Sequence, residues 1–306
     1  MGKEVVSPLV SIICNTYNHV NYIRQCLDGF LMQETNFPIE ILVHDDASTD
    51  GTADIVREYE DKYPDLIKPI YQTENQYSKG VKVSLKYQYS RAKGKYIALC
   101  EGDDYWTDPL KLQKQVDFLE THKDYVICGH KFRSFLQNES RFISIDQNES
   151  GTYTLEDFTS QQRFCSTLTV VFKRASINLQ ELNEYPFLID SIWFFYILKA
   201  GNGYCLNDTM AVYRLHGGGI WSSINYEDQL KLDFQVRLSL CRIDKSQEAA
   251  LFLKILFTKP ISRKFLLRNL ALLFPTFSCL RKAFGYMDVM ILLFNKFILN
   301  KRIVCS

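Results

Sequence analysis

Apolar and polar positions fall in short alternating blocks over the first 130 residues. Leu9-Val-Ser-Ile-Ile-Cys14 is a brief apolar run, as a strand buried on both faces requires. Asn15-Thr-Tyr-Asn18 ends it. Residues 20–34 then place Ile23, Leu27, Phe30 and Leu31 at helical spacing. Pro38 precedes a second strand, Ile39–His44, and Asp45–Gly51 is a turn. Thr49 or Asp50 caps the next helix, which carries Ile55, Val56 and Tyr59 on one face. The pattern continues with a strand at Ile67–Gln72, a helix over 82–92 and a strand at Tyr96–Cys100. A helix through Leu110, Leu112, Val116 and Leu119 follows, then a fifth strand at Tyr125–Cys128.

Strand–helix alternation of this length predicts an α/β fold with a doubly wound, mostly parallel sheet. Ligands of such sheets sit beyond the carboxyl ends of the strands. Asn15–Asn18, Asp45–Ser48 and Glu101–Asp104 each follow a strand directly, so all three are expected on one edge. Residues 131–163 read as a polar, irregular loop with short strands. Beyond it, Thr167–Phe172 predicts a strand and Ile189–Ala200 a helix ending at Gly201. Ala211–His216 predicts a strand running into the mobile loop Gly217–Gly219.

Charge changes this picture at one end. The 306 residues are 46% hydrophobic and 23% charged, with a net charge of +1. Residues 251–306 hold ten Lys or Arg and one acid, Asp288, leaving a net of −8 in 1–250. We therefore expect a domain over 1–227 and a helical, basic region over 228–306. No uncharged apolar stretch reaches the ~18–20 residues that span a bilayer. The basic region fits interfacial helices on an anionic membrane, or a basic cap packed on the main domain. The nine cysteines lack metal-like spacing, and buried free thiols in a reducing compartment are expected. The N-terminus shows no apolar signal core, so the N-x-[ST] triplets at Asn138, Asn148 and Asn207 are read as chance.

The chemistry centres on "EGDDYW" at 101–106. Adjacent carboxylates at a strand end repel, and a divalent ion with oxygen preference, Mn2+ or Mg2+, resolves the repulsion when phosphates complete its shell. Taken alone, Asp103-Asp104 equally describes a solvated turn or a helix cap. Of Asp45 and Asp46, one can accept an imide N–H while the other supports the turn. Tyr17 offers a flat face for a base, and Asn15, Thr16 and Asn18 offer polar contacts.

Three stretches, "VSIICNTYNHVNYIRQCLDGFLMQ", "EILVHDDASTDGTADIV" and "GKYIALCEGDDYWTDPLKL", together resemble the family 2 glycosyltransferases of the GT-A fold, Rossmann-like with flanking helices. The resemblance covers roughly residues 8–220 and is strongest to bacterial enzymes of capsular or other surface polysaccharide synthesis. It implies a nucleoside-diphosphate sugar donor, inversion at the anomeric carbon and a hydroxyl acceptor on a glycan or lipid-linked glycan. By motif, it implies that Asn15, Thr16, Tyr17 and Asn18 line the nucleoside pocket and that Asp46 binds the base imide. Asp103 would contact ribose or diphosphate, Asp104 and His216 would ligate the metal, and Glu101 would stand behind them. Asp190, in "FLIDSIWFFYILKAG", matches the catalytic base at a helix start, where the N-terminus favours negative charge.

This chain departs from the family between the second and third motifs. Relatives carry Asn-x-Gly and then Ala-Arg-Asn, whereas here "TENQYSKGVKVSLKYQYSRAKG" stands, in which Lys79 or Lys82 could reach a nucleotide. A nucleotidyltransferase should show a glycine-rich, basic signature after the first strand, and Asn15–Asn18 has none. No G-x-G-x-x-G follows a strand, against a dinucleotide-dependent oxidoreductase. A non-catalytic nucleotide- or glycan-binding module stays open. Nucleic acid is not an expected partner, and the expected place is cytoplasmic, peripheral at the inner membrane face.

Overall fold

The computed structural model describes residues 7–143, 149–161, 165–186, 189–218, 224–246, 249–250, 253 and 270–284. They fall into two compact units. The first lies within Met1–Tyr153, Phe164–Gln180 and Tyr196–His216, the second within Thr154–Arg163, Glu181–Phe195 and Gly217–Ser306. In chain order the elements are β1 (Val10–Thr16), α1 (Ile23–Leu31), β2 (Ile39–Asp45), α2 (Thr52–Lys62), β3 (Ile67–Tyr71), β4 (Tyr96–Leu99) and β5 (Tyr105–Trp106). After these come α3 (Lys111–Thr121), β6 (Tyr125–Leu136), β7 (Arg141–Ile143), β8 (Gly151–Tyr153), α4 (Leu155–Gln161), β9 (Val171–Lys173) and α5 (Leu179–Glu184). The last are α6 (Asp190–Leu198), β10 (Asn202–Leu215), α7 (Tyr226–Asp244) and α8 (Leu270–Phe284).

Among the described residues, one mixed sheet runs β3-β2-β1-β4-β9-β6-β10-β5, with β7 on β6 and β8 on β10. Strands β3, β2, β1 and β4 are parallel and supply the doubly wound half. Strand β9 joins β4 and β6 antiparallel, while β6 and β10 pair parallel. The expected apolar runs are buried: Val10, Ile12 and Cys14 of β1 and Ile41 and Val43 of β2 join one core with Tyr96 and Ala98 of β4. Ile23, Cys26, Leu27 and Phe30 form the apolar stripe of α1 against it.

Several boundaries differ from the sequence reading. Strand β6 continues through Leu136 instead of ending at Cys128, and β10 starts at Asn202 instead of Ala211. Each completes the other's ladder over its length, a long-range pairing that local pattern does not reveal. Register shifts between Leu206 and Thr209 and between Thr209 and Ala211 further blur the alternation of β10. Within the presumed loop 131–163 lie the end of β6, the short strands β7 and β8, and α4. Residues 167–169 form a 3-10 turn ahead of β9, and the helix over 82–92 is a wide π-type segment, Ser84–Tyr89. Gly51, at φ 100°, is the residue ahead of α2, and Asp50 Oδ1 accepts the Thr52 N–H at 3.0 Å.

In the second unit α7 is capped by Asn225, whose side chain accepts the Asp228 N–H at 3.0 Å, and α8 packs on α7. Pro275 lies within α8. Most of the basic segment 251–306, and Gly219 of the glycine run, lie outside the described residues. No helix among the described residues is long and apolar enough to cross a membrane. The eight described cysteines are free thiols, six of them buried.

One core residue makes a testable signature. Lys111 is fully buried, its Nζ 2.8 Å from Gln115 Oε1 and 3.9 Å from the Trp106 ring centroid. Burial pushes its amine down to about 7. The unfolded chain therefore binds more protons than the folded one between pH 7 and about 10, so this residue makes stability rise with pH there. Urea unfolding at pH 7 and 9.5 should show that rise relative to Lys111→Met, by at most about 1.4 kcal/mol per pH unit. Parallel pH profiles for the two proteins would remove Lys111 as the cause.

Candidate active site

The three polar loops do meet. Backbone bonds join them at the carboxyl edge of the parallel strands: Asp46 N donates to Thr16 O at 2.9 Å, and Gly102 N to Asn15 O at 2.9 Å. The loop after β1 is welded to the loop after β2 by side chains. Asn18, at φ 54°, accepts the Thr49 N–H on Oδ1 at 2.9 Å and donates its own N–H to Ser48 Oγ at 2.9 Å. His19 N donates to Thr52 Oγ1 at 2.8 Å, and Val20 N to Asp50 Oδ2 at 2.9 Å. The Ser-Thr-Asp-Gly-Thr run thus shapes the first loop as well as its own turn.

Polar atoms without protein partners gather here. Asn15 Oδ1, Thr16 Oγ1, His19 Nδ1 and Asp45 Oδ1 are all buried and unpartnered. A buried polar group left unpaired costs about 1–3 kcal/mol, so four in neighbouring loops leave an unmet demand for partners on this edge. Asn15 Nδ2 reaches Ser84 Oγ at 3.0 Å and Glu101 Oε1 at 3.4 Å. Tyr17 is 44% exposed, leaving its ring free to stack.

The two second-loop acids divide the work. Asp45 supports the turn, accepting the Ser48 N–H on Oδ2 at 3.1 Å, and burial raises its carboxyl. Asp46 is buried and accepts the N–H groups of Gln76 at 2.8 Å and Tyr77 at 2.9 Å, one on each oxygen. A base imide reaching Asp46 would therefore share an oxygen with one of these donors. Tyr77 is 58% exposed on the segment so fixed, which sequence reasoning passed over because it lies in the stretch that departs from the family.

Asp103 and Asp104 face different neighbours. Asp103 Oδ2 lies 3.0 Å from His216 Nε2 and 3.8 Å from His19 Nε2. Burial alone would raise the Asp103 carboxyl, but the His216 hydrogen bond and the two imidazoles bring it below its usual range. Asp104 is 4% exposed, and its Oδ1 accepts the Arg214 N–H at 2.8 Å. Burial first, then the charge of Asp103, drive the Asp104 carboxyl well above its ordinary value. His216 is thus in contact with Asp103; its partner in the sequence reading was Asp104. His19 went unnoticed although it follows Asn18 directly, and burial lowers its imidazole.

The donors on this edge are carboxylates and imidazoles, and the carboxylates are the oxygen donors that suit Mn2+ or Mg2+. An Asp103 oxygen and a His216 nitrogen 3.0 Å apart have the spacing of two adjacent ligands on an ion with bonds of about 2.1 Å. Among the described residues no three His, Cys, Asp or Glu side chains surround one metal-sized point. An ion here would draw the rest of its shell from a ligand's oxygens.

Gly102 lets these loops close on each other. A Cβ at this position would lie 2.7 Å from Thr16 Oγ1, 2.8 Å from Thr16 Cβ and 3.1 Å from His19 Nδ1. Thr16 is buried and cannot turn away. Gly102→Ala should cost about 1–3 kcal/mol of stability, read from the urea midpoint. An unchanged midpoint would show that the loops separate freely.

Asp190 opens α6 and is exposed. Beyond Ser191 that helix is mostly apolar: Ile192, Phe195, Ile197 and Leu198 are at most 3% exposed.

Residues 11–179 match the model of the family described as "Glycosyl transferase family 2". An uncharacterised protein of Mycobacterium bovis is 40% identical over 225 residues, covering 72% of this chain and 63% of its own length. The chain thus spans under two thirds of that relative. TuaG of Bacillus subtilis, a putative teichuronic acid biosynthesis glycosyltransferase, is 30% identical over 71% of this chain and 82% of its own. WfaP of Escherichia coli, named as a UDP-Glc:alpha-D-GlcNAc-diphosphoundecaprenol beta-1,3-glucosyltransferase, is 28% identical over 69% and 79%. Among solved structures, S. aureus TarS in complex with UDP-GlcNAc superposes with a TM-score of 0.65 at 22% identity, covering 94% of this chain and 84% of that one. That likeness is one of fold, and the fold is GT-A. With more than half its length matched by the family model, this chain belongs to glycosyl transferase family 2.

Proposed function

We propose that this protein is an inverting, metal-dependent glycosyltransferase that moves a sugar from a nucleoside-diphosphate sugar, UDP-linked, to a hydroxyl of a glycan or lipid-linked acceptor in surface polysaccharide synthesis. The observation that carries the reading is the strand-edge cluster of Asp103, Asp104, His216 and His19 beside four unpartnered buried polar atoms. Such a cluster is negative where a diphosphate would have to sit, so a divalent cation is required between them. Asp104 and His216 would hold that ion, with Asp103 against the imidazole. When bound, the ion would offset the charge that develops on the diphosphate as the glycosidic bond breaks.

The chain's own groups do the rest. Asn15 and Thr16 offer their unpartnered oxygens to the nucleoside, and Tyr17 stacks on the base. Asn18 holds the loop that carries them. Asp46 accepts the base imide while keeping Gln76 and Tyr77 in place. Asp190 takes the proton from the acceptor hydroxyl as that oxygen attacks the anomeric carbon from the face opposite the leaving group. Family membership and the relatives named for polysaccharide work support the acceptor class. The ten basic residues against one acid in 251–306 support a helical region beyond residue 227 that rests on the anionic cytoplasmic face of the inner membrane.

A thermal-shift screen of nucleotide sugars with and without Mn2+, followed by donor turnover with candidate acceptors, tests this. Stabilisation by one UDP-sugar only when Mn2+ is present, with transfer, is expected. Metal-dependent nucleotide binding with no turnover under any acceptor would instead favour a binding module.

A further inference from the structure

Arg214 is buried, 6% exposed, and among the described residues its guanidinium bonds to a backbone carbonyl and a glutamine, not to a carboxylate. One of its terminal nitrogens donates to the backbone carbonyl of Asp103 at 3.1 Å, and the other donates to Gln25 Oε1 on α1. Its own backbone N–H donates to Asp104 Oδ1 at 2.8 Å. The guanidinium lies over two rings, 4.4 Å from the Tyr105 centroid and 5.3 Å from that of Tyr22. Tyr22 in turn packs on the His216 imidazole with centroids 4.7 Å apart. One residue therefore brackets the Asp103–Asp104 peptide from both sides, using its main chain on one acid and its side chain on the carbonyl of the other.

We propose that Arg214 is a positioning residue that fixes the rotation of the Asp103–Asp104 peptide and, two residues along the same strand end, the approach of His216 to Asp103. The inference rests on the reading of this edge as the site of a metal-bound nucleotide, and none of the roles given above includes it. The physical argument is one of geometry. A planar fork with fixed donor directions locks a carbonyl and a glutamine at once, while a lysine ammonium in the same space is a single point donor. Two rings, with centroids 4.4 and 5.3 Å from its Cζ, confine the guanidinium. With the peptide free to turn, Asp104 would keep its bond to the Arg214 N–H, but the Asp103 carboxylate would no longer meet His216 squarely.

Arg214→Lys, Arg214→Met and Gln25→Leu test this on the full chain, with UDP and Mn2+ as the probe. Arg214→Lys should keep its melting temperature within about 3 °C of wild type. Its Mn2+-dependent UDP affinity by calorimetry should fall about tenfold or more, and Gln25→Leu should fall less. Side-chain 15N resonances of His216, recorded without ligand, should move in both Arg214 variants, since they read the Asp103 contact directly. Wild-type-like UDP affinity and an unmoved His216 signal in Arg214→Lys would overturn the proposal. So would an affinity loss that follows only the unfolded fraction. If wild type itself ignores UDP and Mn2+ while His216 still responds to Arg214→Lys, the positioning role stands and the donor assignment falls.

Discussion

Asp104→Asn is expected to lower sugar transfer by roughly a thousandfold or more while raising the stability of the ion-free protein. The two effects have one cause. Asp104 is almost fully buried beside Asp103, so its negative charge is desolvated and repelled. Asparagine keeps an oxygen for the Arg214 N–H, which preserves the local fold. It removes the charge that the proposed divalent ion would need. Without that charge the empty site no longer holds two opposed carboxylates, so the variant should melt a few degrees higher than wild type in chelator. Added Mn2+ should then stabilise wild type and leave the variant unmoved. Scanning calorimetry with and without Mn2+, beside a labelled-sugar transfer assay, reads all three quantities. Transfer within tenfold of wild type would sink the metal role of Asp104. A lower melting temperature in chelator would show that Asp104 acts as a structural acceptor first.

The opposite signs set this site apart from ordinary polar burial. Glu40 is also a buried acid, but Ser11 Oγ donates to it at 2.7 Å, Lys93 N at 2.8 Å and Lys68 Nζ at 3.3 Å. These bonds outweigh burial and bring its carboxyl down. Its unfavourable desolvation is met inside the fold. That of Asp104 is met by one backbone N–H, and the proposed cation would meet the remainder.

What was legible in the sequence followed from local causes. Apolar runs closed by polar tetrapeptides placed β1, β2 and β4, and strand–helix alternation put their ends on one edge, where Asn15, Asp46 and Asp103 now stand. His216 was read from the family resemblance and not from local pattern. The partners of these residues were not legible. Asp46 binds Gln76 and Tyr77 across about 30 residues of sequence, and Arg214 binds Asp103 across more than a hundred. No periodicity encodes such pairings. The same cause hid the full lengths of β6 and β10, which are defined by each other. Gly102 is a third case: its necessity shows only when Thr16 is seen packed against it.

Asp190→Asn should separate binding from chemistry. The sequence from Ile192 to Leu198 is almost wholly apolar and mostly buried, so the helix is held by its body and not by its first residue. Ile189 O accepts the Ile192 N–H at 2.9 Å and the Trp193 N–H at 3.3 Å, so the first turn closes through main-chain atoms. Asparagine is as good as aspartate at a helix start, so stability should change by less than about 1 kcal/mol. An amide cannot accept the acceptor's proton, and loss of a general base costs typically 10²–10⁴ in rate. Transfer should therefore fall by that factor, while UDP affinity with Mn2+ stays within about twofold, since the donor contacts proposed above involve other residues. Single-turnover transfer and calorimetry on the same preparation give the two numbers. If transfer survives, the proton leaves by another route and Asp190 is only the start of a helix. If UDP affinity falls with transfer, Asp190 belongs to donor binding, and the base must be sought elsewhere in the chain.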